Sequence, residues 1–531
     1  MQTCRWNVAV FGFMAMLHLS AFLATAQEAS TGCTPNGNKF NLAPLKNAVG
    51  QFDESVAVLP GAGLNGADLV IGTALDTRPL PPVGFVGDIM ADAIYVQRDA
   101  SDCGADLEGE LPFIVTGDLG SFEIFGHPIV VADPAHGAFF VADLRYNGPG
   151  LAVGLLKTTP AILLNTTQCP NGTVPGTGVC FVQAAQIANY ETFSTITDLF
   201  DPSIAVDQRT TGTGAGDVYV ASAQTNLAGL NEPTSVTLSA CANNMEVCSS
   251  SVTISGTDQR AGAPWVYVRP DGGITISYVN AVKVSPSSAL DIRFVNCTPG
   301  GAPHPPTCAA PVPVLTEDQP TGIPGEVQLS PQNINPILLE SPDPMLPKHI
   351  DRLESDDTTV TTFLVYDRCD VPLYAVGDLF PLCPKTDVVV TSSTDGGNTW
   401  SPIQKVSDAE GQQLFGNLAL DASTGTVNIA YYSTENDPLK TRMQVFLAQI
   451  LPGETTAGTP QQITSQLYDG ALGGFNNTES LPGNYLGIAA GGTGTAGQSV
   501  VYIHFTGSIA DGIYNGVTFP VINNLLTRFQ Y

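Results

Sequence analysis

Positive charge is scarce in this chain: 20 Lys and Arg stand against 49 Asp and Glu in 531 residues, a formal net charge of -29. Nucleic acid would be repelled at long range, and no basic tract offsets that repulsion, so it is excluded as a partner. Only 13% of residues are charged, which argues against long solvated helices. Apolar runs long enough to approach a bilayer span are missing outside the first 23 residues, so no membrane span is expected in the mature chain. There is no Cys-x-x-Cys, and the six His are scattered, which removes the spacing of a zinc site. No Ser-His-Asp or metalloprotease signature stands out. No motif asks for a cofactor; the acidic turns leave Ca²⁺ as the one open candidate, beside the plainer reading of solvated turns.

Glycine and proline are plentiful, with 54 and 40 copies in a chain that is 43% hydrophobic. That mixture reads as many short strands joined by turns, an all-β protein. At the N-terminus, Arg5 precedes an apolar run from Asn7 to Leu23, and Ala24-Thr25-Ala26 supplies the small-x-small pattern of a signal-peptidase site. Residues 1–26 are therefore expected to be a signal peptide and 27–49 an N-terminal segment, giving a secreted, extracellular or periplasmic, monomeric protein. Of 11 cysteines, Cys4 leaves with the signal, and ten remain, an even set suited to an oxidising compartment. Four pairs are close in sequence: Cys169-Cys180, Cys241-Cys248, Cys297-Cys308 and Cys369-Cys383. Each encloses a turn-like segment, and Cys33-Cys103 follows by elimination.

An internal repeat organises the rest. Polar or Pro-led strand openings recur at Glu54, Pro128 and Pro202, with weaker copies at Pro264, near His349, at Asn417 and at Tyr485. A turn and a second apolar strand follow the clear openings, as in Ala138-Phe139-Phe140-Val141-Ala142 and Asp217-Val218-Tyr219-Val220-Ala221. Four-stranded antiparallel units that cannot bury their faces alone must stack radially, so residues 50–531 are expected to form one β-propeller. The openings suggest seven blades; six would result if the strand near Glu54 completed the last blade. A Pro-rich stretch at about 311–347 reads as an insertion between the fourth and fifth units.

One motif is specific. Ser393-Thr394-Asp395-Gly396-Gly397-Asn398-Thr399-Trp400 matches Ser-x-Asp-x-Gly-x-Thr-Trp in full, and by it the chain resembles the sialidase-like (Asp-box, or BNR-repeat) β-propellers. The resemblance implies a turn on the face away from any active site, so Ser393, Asp395, Gly397 and Trp400 are assigned structural roles. A degenerate copy stands at 102–107. In the second, third and fourth units the same place carries a close cysteine pair, as if a covalent staple replaced the hydrogen-bonded turn. The resemblance also raises exo-sialidase-like glycoside hydrolysis, but the family's Arg-Ile-Pro motif is absent, and no catalytic residue carries over by motif.

Candidate site residues come from propeller geometry instead. Inner-strand starts and second-strand ends surround one mouth of the central channel. Asp53, Glu54, Asp201 and Asp351 are the carboxylates available there for acid/base chemistry. The dense stretch Asp351-Arg352-Leu353-Glu354-Ser355-Asp356-Asp357 reads as a functional loop. Arg78, Arg145 and Arg368 recur near second-strand ends, where they would converge on a ligand carboxylate or pair locally with Asp76, Asp143 and Asp367. His127, His349 and Tyr485 complete the expected ligand-binding set. The function expected is an extracellular glycan- or protein-binding propeller, with a propeller-type glycoside hydrolase as the alternative.

Overall fold

The computed structural model describes residues 51–76, 91–99, 107–111, 114–117, 120–146, 151–165, 174–175, 179–187, 197–226, 234–258, 260–283, 288–319, 339–340, 347–356, 358–369, 382–383, 385–440, 442–468, 486–492, 499–514 and 517–531. Among the described residues, seven antiparallel sheets of three to five strands follow one another along the chain, beside two short two-stranded ones. The inner strands of the seven are Gln51–Leu59, Gly120–Asp133, Thr197–Val206, Ala261–Val268, Lys348–Leu353, Gln413–Asp421 and Gly487–Gly492, with a short further strand, Ile114–Gly117, paired to the start of the second. Each packs beside the next, and the last packs beside the first, so the sheets close a seven-bladed β-propeller. Gln51–Leu59 leads its own blade rather than completing the seventh, which decides between seven and six.

Blade size varies more than the expected four strands. Blades 1, 3, 5 and 6 have four, blades 2 and 4 have five, and blade 7 has three among the described residues. Part of the Pro-rich stretch expected as an insertion is the extra strand of blade 4: Val312–Gln319 pairs with Ser288–Thr298. It pairs on one side only, so Pro313 sits in an edge strand, where its missing N–H is tolerated.

The core lies between blades. Alternate residues of each strand face opposite neighbours, so one cluster joins Phe139, Val141 and Leu156 of blade 2 to Ile71 and Ile94 of blade 1. Another joins Phe140 and Leu155 of blade 2 to Ile204 and Val220 of blade 3. Blade 7 meets blade 1 in the same way, through Val56, Val58, Tyr95, Val500 and Tyr502. At that closing seam Gly487 lies against the Ser55–Val56 backbone, where an added Cβ would come within 3.0 Å. A larger residue there would wedge the ring apart.

Two kinds of device hold the turn between third and fourth strands. In blade 5, Ser393 Oγ accepts the Gly397 N–H (2.9 Å), and Asp395 accepts the N–H groups of Asn398 (3.0 Å) and Thr399 (2.9 Å) and the Thr399 hydroxyl (2.6 Å). Those donors hold the Asp395 carboxyl down at about 2, with the Thr399 hydroxyl leading. Gly397 is left-handed, with φ 87°, and an added Cβ would strike Phe294 of blade 4 at 2.3 Å. Trp400 meets the same Phe294 edge-on at 5.4 Å. In blades 3 and 4 the equivalent place carries disulfides Cys241–Cys248 and Cys297–Cys308, as the cysteine spacing suggests. Cys180 is also disulfide-bonded; Cys169, Cys33 and Cys103 lie outside the described residues, as do the side chains of Cys369 and Cys383. Removing the Cys241–Cys248 bridge by a double Cys→Ala substitution is expected to lower stability by about 2.5 kcal/mol, from the short loop it closes. Urea unfolding of the two proteins without reductant checks this, and equal midpoints would contradict it.

Candidate functional site at the channel mouth

A cavity of about 330 Å³ follows the propeller axis. It is lined from inner-strand starts, such as Ser55, Ser203 and Gly487, to inner-strand ends, such as Pro134, Gln208 and Ser423. The mouth at the inner-strand starts is the one on which the expected site residues were placed. The Ser393–Trp400 turn lies at the opposite face: Ser393 pairs with Thr362, next to the place where Val360 pairs with the inner-strand end Leu353.

Just inside the mouth, five inner strands share a bulge. Register shifts fall between Phe52 and Ser55, Gly126 and Ile129, Phe200 and Ser203, Gly262 and Trp265, and Leu414 and Asn417. The first unpaired residue is left-handed at Asp201 (φ 49°), Ala263 (φ 49°) and Phe415 (φ 56°). Such a conformation is unfavourable for a residue with a Cβ, by roughly 1–2 kcal/mol, so the surroundings must hold it. Asp53 and His127 take the same place in blades 1 and 2, described for their backbone alone. Glu54 follows Asp53 in the bulge. Asp53, His127 and Asp201 are thus equivalent positions on three consecutive blades, while blades 4 and 6 put Ala and Phe there.

In blades 1, 3, 4 and 6 the residue after the bulge ties the blade to the next. Ser55 Oγ accepts the Val130 N–H (3.2 Å), and Ser203 Oγ accepts that of Val266 (3.0 Å). Trp265 Nε1 donates to the His349 carbonyl (3.0 Å), and Asn417 Nδ2 to that of Leu486 (2.6 Å). Between blades 5 and 6 the link comes from the second strand: Asp367 accepts the N–H groups of Phe415 (2.5 Å) and Gly416 (3.0 Å). The ring closes where His504 Nδ1 donates to the Ser55 carbonyl (3.0 Å). These buried polar groups are satisfied across blade joints, which fixes the spacing of the mouth.

Several expected site residues stand elsewhere. Asp351, expected in a mouth loop, is the fourth residue of the inner strand of blade 5 and is fully buried. Its carboxyl meets the hydroxyls of Thr362 and Thr275, the latter at 2.8 Å. His349, two residues earlier on the same face, is also buried, with Nε2 2.9 Å from Thr275 Oγ1 and Nδ1 2.8 Å from Ser277 Oγ. Ser277 donates to the Pro347 carbonyl (2.5 Å), so His349 Nδ1 must be the donor to Ser277. The chain Asp351–Thr275–His349–Ser277–Pro347 then needs one proton shared between Asp351 and His349. Burial pushes His349 down to about 3 and Asp351 up, so it disfavours the charged form of both. Ser, His and Asp meet here in a joint between blades 4 and 5, with the Ser hydroxyl committed to a carbonyl. Arg352 is buried as well, donating to Leu451 O (2.9 Å) and Glu454 O (2.8 Å) of blade 6. Residues 351–356 are thus the end of a strand and a turn, stitched to both neighbours, and Asp357 lies outside the described residues.

The arginines are only partly placed. Arg145 and Arg368 each stand one residue before the end of a second strand, in blades 2 and 5, with the Arg145 side chain outside the described atoms. Arg78 and Tyr485 lie outside the described residues. Asp367, offered as a local partner for Arg368, uses its carboxylate on the bulge of blade 6 and feels the charge of Lys348; burial still pushes it up. Sequence reasoning missed Trp265 as a mouth residue. Aligning the positions after the five bulges, Ser55, Ile129, Ser203, Trp265 and Asn417, would have found it.

Fold and site together define a seven-bladed β-propeller with a narrow axial channel. Among solved structures, the chain is similar to a Hadza microbial sialidase (11% identity, 87% of this chain and 76% of that one, TM-score 0.43). It is also similar to a leech intramolecular trans-sialidase (11%, 93% and 70%, TM-score 0.39). A third is the GH93 α-L-arabinofuranosidase of Fusarium graminearum (10%, 93% and 98%, TM-score 0.39). No protein-family model and no curated protein matches the sequence.

Proposed function

We propose that the protein is an exported propeller that binds a glycan at the mouth formed by its inner-strand starts. The observation that carries this reading is the composition of the mouth: hydroxyl and amide groups of Ser55, Ser203 and Asn417 line a cavity of about 330 Å³, beside bulge positions occupied by Asp53, His127 and Asp201. Convergent polar groups set among apolar strand residues suit a polyhydroxylated ligand. Asp351, Asp367 and the Asn417 amide are used up in the packing of the blades, whereas the Ser55 and Ser203 hydroxyls only accept there and keep a proton to donate. Export through the segment 1–26 accords with the disulfides, and the hydrogen bonds of the Ser393–Trp400 turn accord with an Asp-box. Glycoside hydrolysis is the second reading, favoured by the left-handed Asp201 and its equivalence to Asp53, since strained carboxylates recur at active sites.

Both readings are tested on one glycan panel, scored for equilibrium binding and for turnover, with Asp201→Asn alongside wild type. Binding is expected for at least one glycan, weakened about tenfold or more in the variant, as for loss of a charge-assisted hydrogen bond. Turnover lost in the variant would favour the hydrolase, and no binding by any member would contradict the proposal.

A further inference from the structure

We infer that the mouth takes a single neutral pyranose ring stacked on the indole of Trp265, in preference to an acidic sugar; this rests on the glycan-binding reading and names its ligand class. Trp265 lines the cavity and is half-buried. It is pre-oriented on three counts. Its backbone follows the bulge at Ala263, its Nε1 is fixed to the His349 carbonyl at 3.0 Å, and the Lys348 ammonium rests 5.7 Å from its ring centroid. An aromatic ring held in this way loses little freedom when the apolar C–H face of a sugar settles on it. Polar partners for the sugar hydroxyls stand close in the ring of blades. The Ser203 hydroxyl, on the preceding blade, already accepts the N–H of Val266, the residue after Trp265, and keeps its own proton to donate. Ser55 is arranged in the same way towards Val130.

Size and charge narrow the ligand further. A cavity of about 330 Å³ is at the small end of ligand sites, which span about 300–1,000 Å³, and suits one terminal residue rather than an oligosaccharide. The protein's charge of -29 disfavours an anionic sugar at long range. Lys348, the cation against the indole, is buried, and its charge is offset by Asp367 rather than presented to the cavity: it does not line it.

The full-length mature protein is titrated with methyl β-D-galactopyranoside, methyl α-D-mannopyranoside, methyl β-D-xylopyranoside and N-acetylneuraminic acid, following calorimetry and tryptophan emission. Wild type is compared with Trp265→Leu, Trp265→Tyr and Trp400→Phe, the last removing the indole at the opposite face. A neutral pyranoside is expected to bind wild type and Trp400→Phe equally and to change their emission. Trp265→Tyr should keep most of the affinity, and Trp265→Leu should lose about tenfold or more. If Trp265→Leu folds poorly, the emission change in Trp400→Phe and the retained affinity of Trp265→Tyr still decide the matter. Neutral-sugar binding unchanged in Trp265→Leu, or binding of N-acetylneuraminic acid alone, overturns the inference while leaving glycan binding intact. Failure of every probe and of the wider panel overturns both.

Discussion

Replacing Asp367 by Ala is expected to destabilise the propeller by about 3–5 kcal/mol, the loss typical when one member of a buried charge network is removed. Asp367 is only 2% exposed and is the acceptor for two consecutive amides, Phe415 and Gly416, in the bulge of the next blade. The bulge puts Phe415 at φ 56°, a conformation that persists because the carboxylate takes up the N–H groups it exposes. In the variant those donors would be buried without an acceptor, and the Lys348 ammonium, already pushed down to about 8 by burial, would lose the charge that holds its pKa up. A double variant, Lys348→Met with Asp367→Ala, should therefore be more stable than Asp367→Ala alone, and Asp367→Asn should lie between wild type and Ala. Urea unfolding of the four proteins checks the order. A loss below about 1 kcal/mol for Asp367→Ala would mean that blades 5 and 6 do not depend on this link.

The second large effect concerns the seam that closes the ring. His504 is fully buried, and burial pushes its imidazole down to about 4 from the ordinary 6.5. The folded protein thus favours the neutral ring, whose Nδ1–H serves the Ser55 carbonyl. As pH falls, the unfolded chain takes up this proton first. The stabilisation is complete above pH 6.5 and is lost as pH falls towards about 4, by up to roughly 3 kcal/mol. Asp351 and Asp367 are raised by burial and tilt stability the other way over part of the same range, so a single pH curve mixes opposite slopes. The comparison with His504→Gln isolates the effect, because its amide donates to the same carbonyl without titrating. Wild type should lose about 3 kcal/mol more than the variant between pH 7 and pH 4, and parallel curves would contradict this origin.

Much of the architecture was legible because it repeats. The openings at Pro128, Pro202 and Asn417 recur with their second strands, and each became an inner strand. The close pairs Cys241-Cys248 and Cys297-Cys308 needed no long-range information either. Local polarity misled where partners come from another blade. Asp351 and His349 look like loop residues until Thr275, more than seventy positions earlier, is placed beside them by the radial packing. The bulge was invisible for a similar reason: Asp201, Ala263 and Phe415 share no side-chain chemistry, only a backbone conformation, held at Phe415 by Asp367 of the preceding blade. Trp265 escaped attention because a tryptophan in a strand ordinarily signals core, and only its place after the bulge brings it to the channel.

The central claim is that ligand enters at the inner-strand starts. Hydrogen–deuterium exchange of the protein, free and saturated with the tightest-binding member of the glycan panel, tests it most directly. Slowed exchange is expected in peptides covering 55–58, 203–206 and 265–268. Protection confined to the opposite face, at 134–137, 208–217 or 394–403, would contradict the account and place the ligand elsewhere on the propeller.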